Sequence, residues 1–125
     1  MPLEILVVED NDILRKLSVE AFEIFFPDAK INSASNGMLG WQLIQSDVPK
    51  IVIADISMPE LNGIELLKRI RKDYSEIVVI FLSGDIGYAE GQIPRELAIS
   101  MGAAEAFAKP TSFSIVAEEI RKYLN

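Results

Sequence analysis

Ile51-Val52-Ile53-Ala54-Asp55 is an apolar run too short for a helix that stops on a carboxylate, and the rest of the chain repeats its plan. Leu3 to Val8 is a second such run, ending on Glu9-Asp10, and Ile77 to Leu82 a third, ending on Ser83. Short, almost unbroken apolar runs are what strands covered on both faces of a parallel sheet require. A last short strand is predicted over Glu105 to Ala108, ending on Lys109, and the least distinct one over Lys30 to Ala34. Helical patterns lie between the runs. Ile13, Leu14, Leu17, Ala21, Phe22 and Phe25 recur at spacings of three and four, with Asn11 or Asp12 as N-cap and Pro27 as a stop. Asn36-Gly37 marks a turn before a second helix through Trp41, Leu43 and Ile44 that ends near Asp47 to Pro49. Ile64, Leu67 and Ile70 define a third, with Lys68, Arg69, Arg71 and Lys72 in its last turns, where positive charge suits the helix dipole. A fourth helix is expected over Pro94 to Met101 and a fifth over Ser112 to Leu124, with Asn125 at its end.

Strand and helix therefore alternate five times. This predicts an α/β fold, a flavodoxin-like (βα)5 three-layer sandwich on a parallel five-stranded sheet in the order 2-1-3-4-5, with right-handed crossovers. In such a fold ligands sit beyond the carboxyl ends of the strands, near the point where strand order reverses. The topology thus gathers Glu9, Asp10, Asp55, Ser83 and Lys109 on one edge of one sheet.

Composition narrows the chemistry that edge can perform. The chain has 125 residues, half of them apolar, which predicts one domain over residues 1–125 with one function. There is no Cys and no His, so disulfides, thiolate metal sites and the usual general base are excluded. Twelve Lys and Arg against 19 Asp and Glu give a net charge of −7, which argues against direct grip on a nucleic-acid backbone. No stretch approaches the roughly 20 apolar residues that span a bilayer, and the N-terminus lacks the plan of a secretion signal, so a cytoplasmic protein without membrane attachment is expected.

Three carboxylates in one small site oppose each other. At about 5 Å and an effective dielectric near 20, each pair repels by roughly 3 kcal/mol. A hard divalent cation relieves this, and an all-oxygen donor set of one or two carboxylates plus waters and phosphate oxygens suits Mg²⁺. Asp55 is then the expected nucleophile, since a carboxylate can attack phosphorus to form an acyl phosphate. Glu9 and Asp10 would hold Mg²⁺ directly or through water, with a backbone carbonyl near Ser57 completing the shell. Lys109 and Ser83 would meet the remaining phosphoryl oxygens.

Four segments carry a resemblance: LVVED (Leu6–Asp10), IVIADISMPELNG (Ile51–Gly63), FLSG (Phe81–Gly84) and AKP (Ala108–Pro110). With the pattern Asp-x-x-Met-Pro-x-x-x-Gly at Asp55, Met58, Pro59 and Gly63, the chain resembles the receiver domains of two-component response regulators over essentially its whole length. The resemblance implies a phosphoacceptor rather than an enzyme with its own substrate. It implies Mg²⁺-dependent phosphorylation of Asp55 by a histidine kinase, a phosphotransfer protein or a small phosphodonor, and slow self-dephosphorylation. It also implies a shape change on the face of the fourth helix, fifth strand and fifth helix, read by a downstream protein or an output domain, and a cis Lys109-Pro110 bond. Two departures stand out. Where the family usually carries a switching aromatic, three positions before the lysine, this chain has Ala106, and Phe107 beside it should point to the opposite face. The stretch after Ser83 is long, and Gly84, Gly87, Gly91 and Pro94 predict an irregular loop over Asp85 to Pro94. Ser57 and Asp85, each two places beyond a site residue, occupy positions where the family tunes phosphoryl lifetime.

Taken singly, each motif has a plainer reading. Glu9-Asp10 could be acids favouring a helix N-terminus, Asp55 a cap, Met58-Pro59-Glu60 a turn, and Lys109 a solvated lysine. Their joint occurrence at four strand ends outweighs this. Trp41 reads as partial core, Tyr88 as an exposed loop aromatic, and Lys68 to Lys72 as a solvated helix end. A phosphohydrolase of the haloacid-dehalogenase type would want a second acid two residues after the nucleophile, where Ser57 stands. A flavin or nucleotide site would want a phosphate loop where Glu9-Asp10-Asn11-Asp12 repels one. A receiver that binds partners without phosphorylation is disfavoured by the intact acid, hydroxyl and lysine set.

Overall fold

The computed structural model describes residues 2–124; Asn125, expected at the end of the last helix, lies outside them. Strands β1 (Glu4–Val8), β2 (Lys30–Ala34), β3 (Ile51–Ala54), β4 (Val78–Ser83) and β5 (Glu105–Ala108) alternate with helices α1 (Asp12–Phe25), α2 (Gly37–Ser46), α3 (Gly63–Asp73), α4 (Arg95–Ser100) and α5 (Phe113–Arg121). All strand pairs are parallel and the order is β2-β1-β3-β4-β5, the doubly wound arrangement expected. Even the faint strand over Lys30 to Ala34 forms at those residues, in register from Glu4 opposite Lys30 to Val8 opposite Ala34.

Strand alternation divides the core into two layers. Leu6, Val8, Val52, Ala54, Val79 and Phe81 face α2, α3 and α4 with Ile44, Leu67 and Ile70, while Ile5, Val7, Ile51, Ile53, Ile80 and Leu82 face α1 and α5 with Phe22, Val116 and Ile120. Continuous apolar runs were needed because both faces are covered. Each of the first three helices starts on an asparagine whose side chain accepts a backbone N–H: Asn11 from Leu14, Asn36 from Leu39 and Asn62 from Glu65, the last in a reciprocal capping box. The choice between Asn11 and Asp12 as first cap thus falls to Asn11.

Four expectations are refined. The buried line of α1 runs through Ser18 and Phe22, with Leu14 half-buried, so Ile13 and Leu17 face solvent; Ser18 is admitted because its hydroxyl donates to the Leu14 carbonyl at 2.7 Å. Helix α5 ends at Arg121, because Lys122, Tyr123 and Leu124 bond three residues back and tighten the final turn. Trp41 is buried, edge-on to Tyr74 and beneath the Arg69 guanidinium. Arg71 departs from the solvated run around it. Its guanidinium donates to the carbonyls of Ser75 and Ile77, holding the turn into β4. Tyr88 is exposed as expected, its hydroxyl on the Glu96 carboxylate. Among the described residues no helix is long and apolar enough to cross a membrane.

Candidate functional site

The carboxyl ends of β1 and β3 lie side by side, with Val8 opposite Ala54, so the residues that follow them must converge. Carboxylate oxygens of Glu9, Asp10 and Asp55 lie within 4.8 Å of one another. Glu9 is buried and Asp10 exposed, and the Asp55 side chain keeps 11 % exposure, which leaves it reachable only from the open side.

Each acid is held by the local chain. Glu9 Oε2 accepts the Asn11 N–H at 3.1 Å, and the Glu9 carbonyl accepts the Arg15 guanidinium at 3.0 Å. Asp55 Oδ1 accepts the Ile56 N–H at 2.6 Å. Gly63 explains the last position of the Asp-x-x-Met-Pro-x-x-x-Gly pattern: its N–H donates to the Ile56 carbonyl at 2.8 Å, and a Cβ there would collide with the Asp55 backbone. Met58 is buried in the core, and Glu60 takes the turn at a φ of 71°.

Lys109 arrives from β5, across a cis bond to Pro110. Its Nζ donates to Glu9 Oε1 at 2.6 Å and to Asp55 Oδ2 at 3.0 Å, bridging two of the three acids. Burial opposes the Lys109 charge, but hydrogen bonds to Glu9 and Asp55 outweigh it and hold the ammonium above its ordinary value of 10.5. Burial pushes the Glu9 carboxyl up from 4.5, against the pull of Lys109 and the Asn11 N–H and with the help of the Asp55 charge. Three carboxylates against one ammonium leave a formal excess of two negative charges, and the donor set is all oxygen. That combination fits a divalent cation such as Mg²⁺.

Ser83, fully buried at the end of β4, accepts the Asp85 N–H at 3.1 Å and faces the Ile56 N–H at 3.4 Å, placing its hydroxyl beside the backbone that follows Asp55. Ser57 is exposed. Ala106 is buried in the layer beneath α4, and Phe107 is half-buried in the opposite layer, as alternation requires. Sequence reasoning missed Arg15, which holds the Glu9 carbonyl, and Asn11, whose amide holds the Glu9 side chain. The α1 start signal marked Asn11 as a cap but not its contact with Glu9, and nothing in the sequence pattern pointed to Arg15.

The family model described as response regulator receiver domain matches residues 5–121, and so takes in every residue of this site. The chain belongs to that family. Receiver domains are phosphoacceptors rather than turnover enzymes, and this one has the family's architecture with an acidic cluster suited to Mg²⁺. A receiver domain from Clostridium thermocellum superposes with a TM-score of 0.86 at 26 % identity, covering 98 % of this chain and 94 % of that one. Sporulation initiation phosphotransferase F of Bacillus subtilis is 30 % identical over 121 residues, 97 % of this chain and 93 % of that protein. Response regulator Rre1 of Synechocystis is 34 % identical over 84 residues, 66 % of this chain and 36 % of that protein. This receiver domain spans about a third to a half of the length of several curated relatives it matches.

Proposed function

We propose that residues 1–125 act as one cytoplasmic signalling domain in which Asp55 accepts a phosphoryl group from a histidine kinase, a phosphotransfer protein or a small phosphodonor. The observation that carries the reading is the meeting of three carboxylates within 4.8 Å, two of them, Glu9 and Asp55, bridged by a lysine from the opposite end of the chain. A carboxylate oxygen of Asp55 forms a bond to phosphorus while the bond to the donor's nitrogen or oxygen breaks, and the leaving group takes the electron pair and later a proton from solvent. Glu9, Asp10, Asp55 and the Ser57 backbone carbonyl would hold Mg²⁺, which when bound neutralises charge on the transferred oxygens.

The chain's own groups do the rest. Lys109, already on Asp55, is placed to follow the charge onto a phosphoryl oxygen. Ser83 offers a hydroxyl to another oxygen. Glu9 keeps the lysine aimed into the site from the far side. Ser57 and Asp85 flank the path of attacking water and set the lifetime of the acyl phosphate. Output goes through a protein partner or an output domain, without direct nucleic-acid or membrane contact by this domain.

The test is adduct formation with beryllofluoride, a mimic of the acyl phosphate, followed by fluorine NMR. Bound fluoride resonances are expected with Mg²⁺ in the wild type and none in Asp55→Asn. Resonances that persist in Asp55→Asn, or that need no Mg²⁺, contradict the assignment.

A further inference from the structure

The segment between β4 and α4 is closed by bonds of its own. Ile86 and Ile93 form an isolated bridge, with the Ile93 N–H donating to the Asp85 carbonyl at 2.7 Å and the Gly87 N–H to the Ile93 carbonyl at 3.0 Å. Gln92 lies across the loop. Its Nε2 donates to the Gly84 carbonyl at 2.9 Å, and its Oε1 accepts the Ala89 N–H at 3.0 Å. The carboxamide packs against Gly87, where a Cβ would run into its oxygen.

The Gly84 carbonyl and the Asp85 N–H belong to one planar peptide unit. Gln92 holds its carbonyl end, and its N–H end donates to Ser83 Oγ at 3.1 Å. A second N–H, from Ile56, faces the same oxygen at 3.4 Å. A hydroxyl has two acceptor lone pairs and one proton. The Asp85 N–H is the main donor to this oxygen, because the Ile56 N–H is shared with Asp55 Oδ1 at 2.6 Å. With that lone pair taken, the hydroxyl proton is left to turn toward an oxygen arriving at Asp55.

We propose that Gln92 is a positioning residue for phosphoryl transfer: by fixing the Gly84-Asp85 peptide it keeps an N–H on Ser83 Oγ and reserves the Ser83 hydroxyl proton for an oxygen of the group arriving at Asp55. The inference rests on the phosphoacceptor reading above. It acts through Ser83, since the side-chain hydrogen bonds of Gln92 go to loop backbone alone.

A double-mutant cycle separates this role from a merely structural one. Gln92→Met keeps side-chain length and removes both hydrogen bonds; Ser83→Ala removes the hydroxyl. Initial rates of phosphorylation by acetyl phosphate at saturating Mg²⁺ are measured for the wild type, both single variants and the double variant. Gln92→Met is expected to slow the wild type by about three- to tenfold, the range one net hydrogen bond supports, and to change the Ser83→Ala rate by less than about twofold. The Asp85 amide proton should also shift in Gln92→Met. If amide spectra show that Gln92→Met does not fold, Gln92→Ala takes its place in the cycle. Equal slowing in both backgrounds, or none in either, overturns the proposal. A wild type that acetyl phosphate does not modify overturns the phosphoacceptor reading instead, and this inference with it.

Discussion

Two half-buried cations stand at opposite edges of the sheet and are compensated in opposite ways. At the carboxyl edge, Lys109 lies between Glu9 and Asp55, and these carboxylates hold its ammonium above the ordinary value. At the amino edge, Arg71 has the carbonyls of Ser75 and Ile77, its Nε is buried without a partner among the described residues, and burial holds it below the ordinary value. Backbone carbonyls stay where the fold puts them, so the Arg71 bonds are fixed parts of the turn into β4. The bond from Lys109 to Asp55 ends on the carboxylate proposed above as the reacting group, a role that would let the lysine move with the charge. A semi-buried cation facing convergent acids is therefore read as function, and one facing carbonyls as structure.

The comparison can be broken most sharply at Lys109. Lys109→Met is expected to slow phosphorylation by acetyl phosphate about 100-fold, the scale for losing one donor to a developing oxyanion, as read by the initial rate of acyl-phosphate formation. Arg71→Met should do the reverse, leaving that rate within about twofold while lowering the unfolding free energy by about 2 kcal/mol in urea. Arg71→Lys should recover little, because an ammonium cannot span two carbonyls as a guanidinium does. A smaller effect is expected at Asp10. Asp10→Asn relieves repulsion among the three acids, so without Mg²⁺ it should raise stability by about 1 kcal/mol while weakening Mg²⁺ binding in a calorimetric titration.

The smallest effect concerns an ion pair outside both regions. Arg95 on α4 holds the Glu105 carboxyl on β5 below its ordinary value of 4.5. A depressed carboxyl contributes stability that is present above its unfolded value and is lost as pH falls through its folded value. Glu105→Gln should therefore lower the thermal midpoint slightly at neutral pH and flatten its dependence below about pH 5, the two proteins converging as pH falls.

How much of this was legible follows from what kind of signal each feature leaves. Strand runs covered on both faces stand out as continuous apolar stretches, and the residue after each run marks the ligand edge, so Glu9, Asp10, Asp55, Ser83 and Lys109 could be placed before any coordinates. Contacts between those residues left no trace. That Lys109 bridges Glu9 as well as Asp55 depends on side-chain reach across β1, β3 and β5. Arg71 looked like its neighbours Lys68 and Lys72 because helical periodicity cannot show a guanidinium turning back onto carbonyls of the next turn. Ile13 and Leu17 suggested an inward stripe, yet the buried line runs through Ser18, a polar residue admitted by one hydrogen bond to its own helix. In Asp85 to Pro94, glycines announced irregularity but not the closure supplied by Gln92.

The central claim is that the acids of β1 and β3 form one Mg²⁺-dependent site whose reacting member is Asp55. The most direct measurement is intact-protein and peptide mass spectrometry after incubation with acetyl phosphate, with and without Mg²⁺, on the wild type and Asp55→Asn. The account predicts one added phosphoryl group, mapped to Asp55, only in the wild type and only with Mg²⁺. A phosphoryl group on any other residue, or an unmodified wild type in the presence of Mg²⁺, would contradict it.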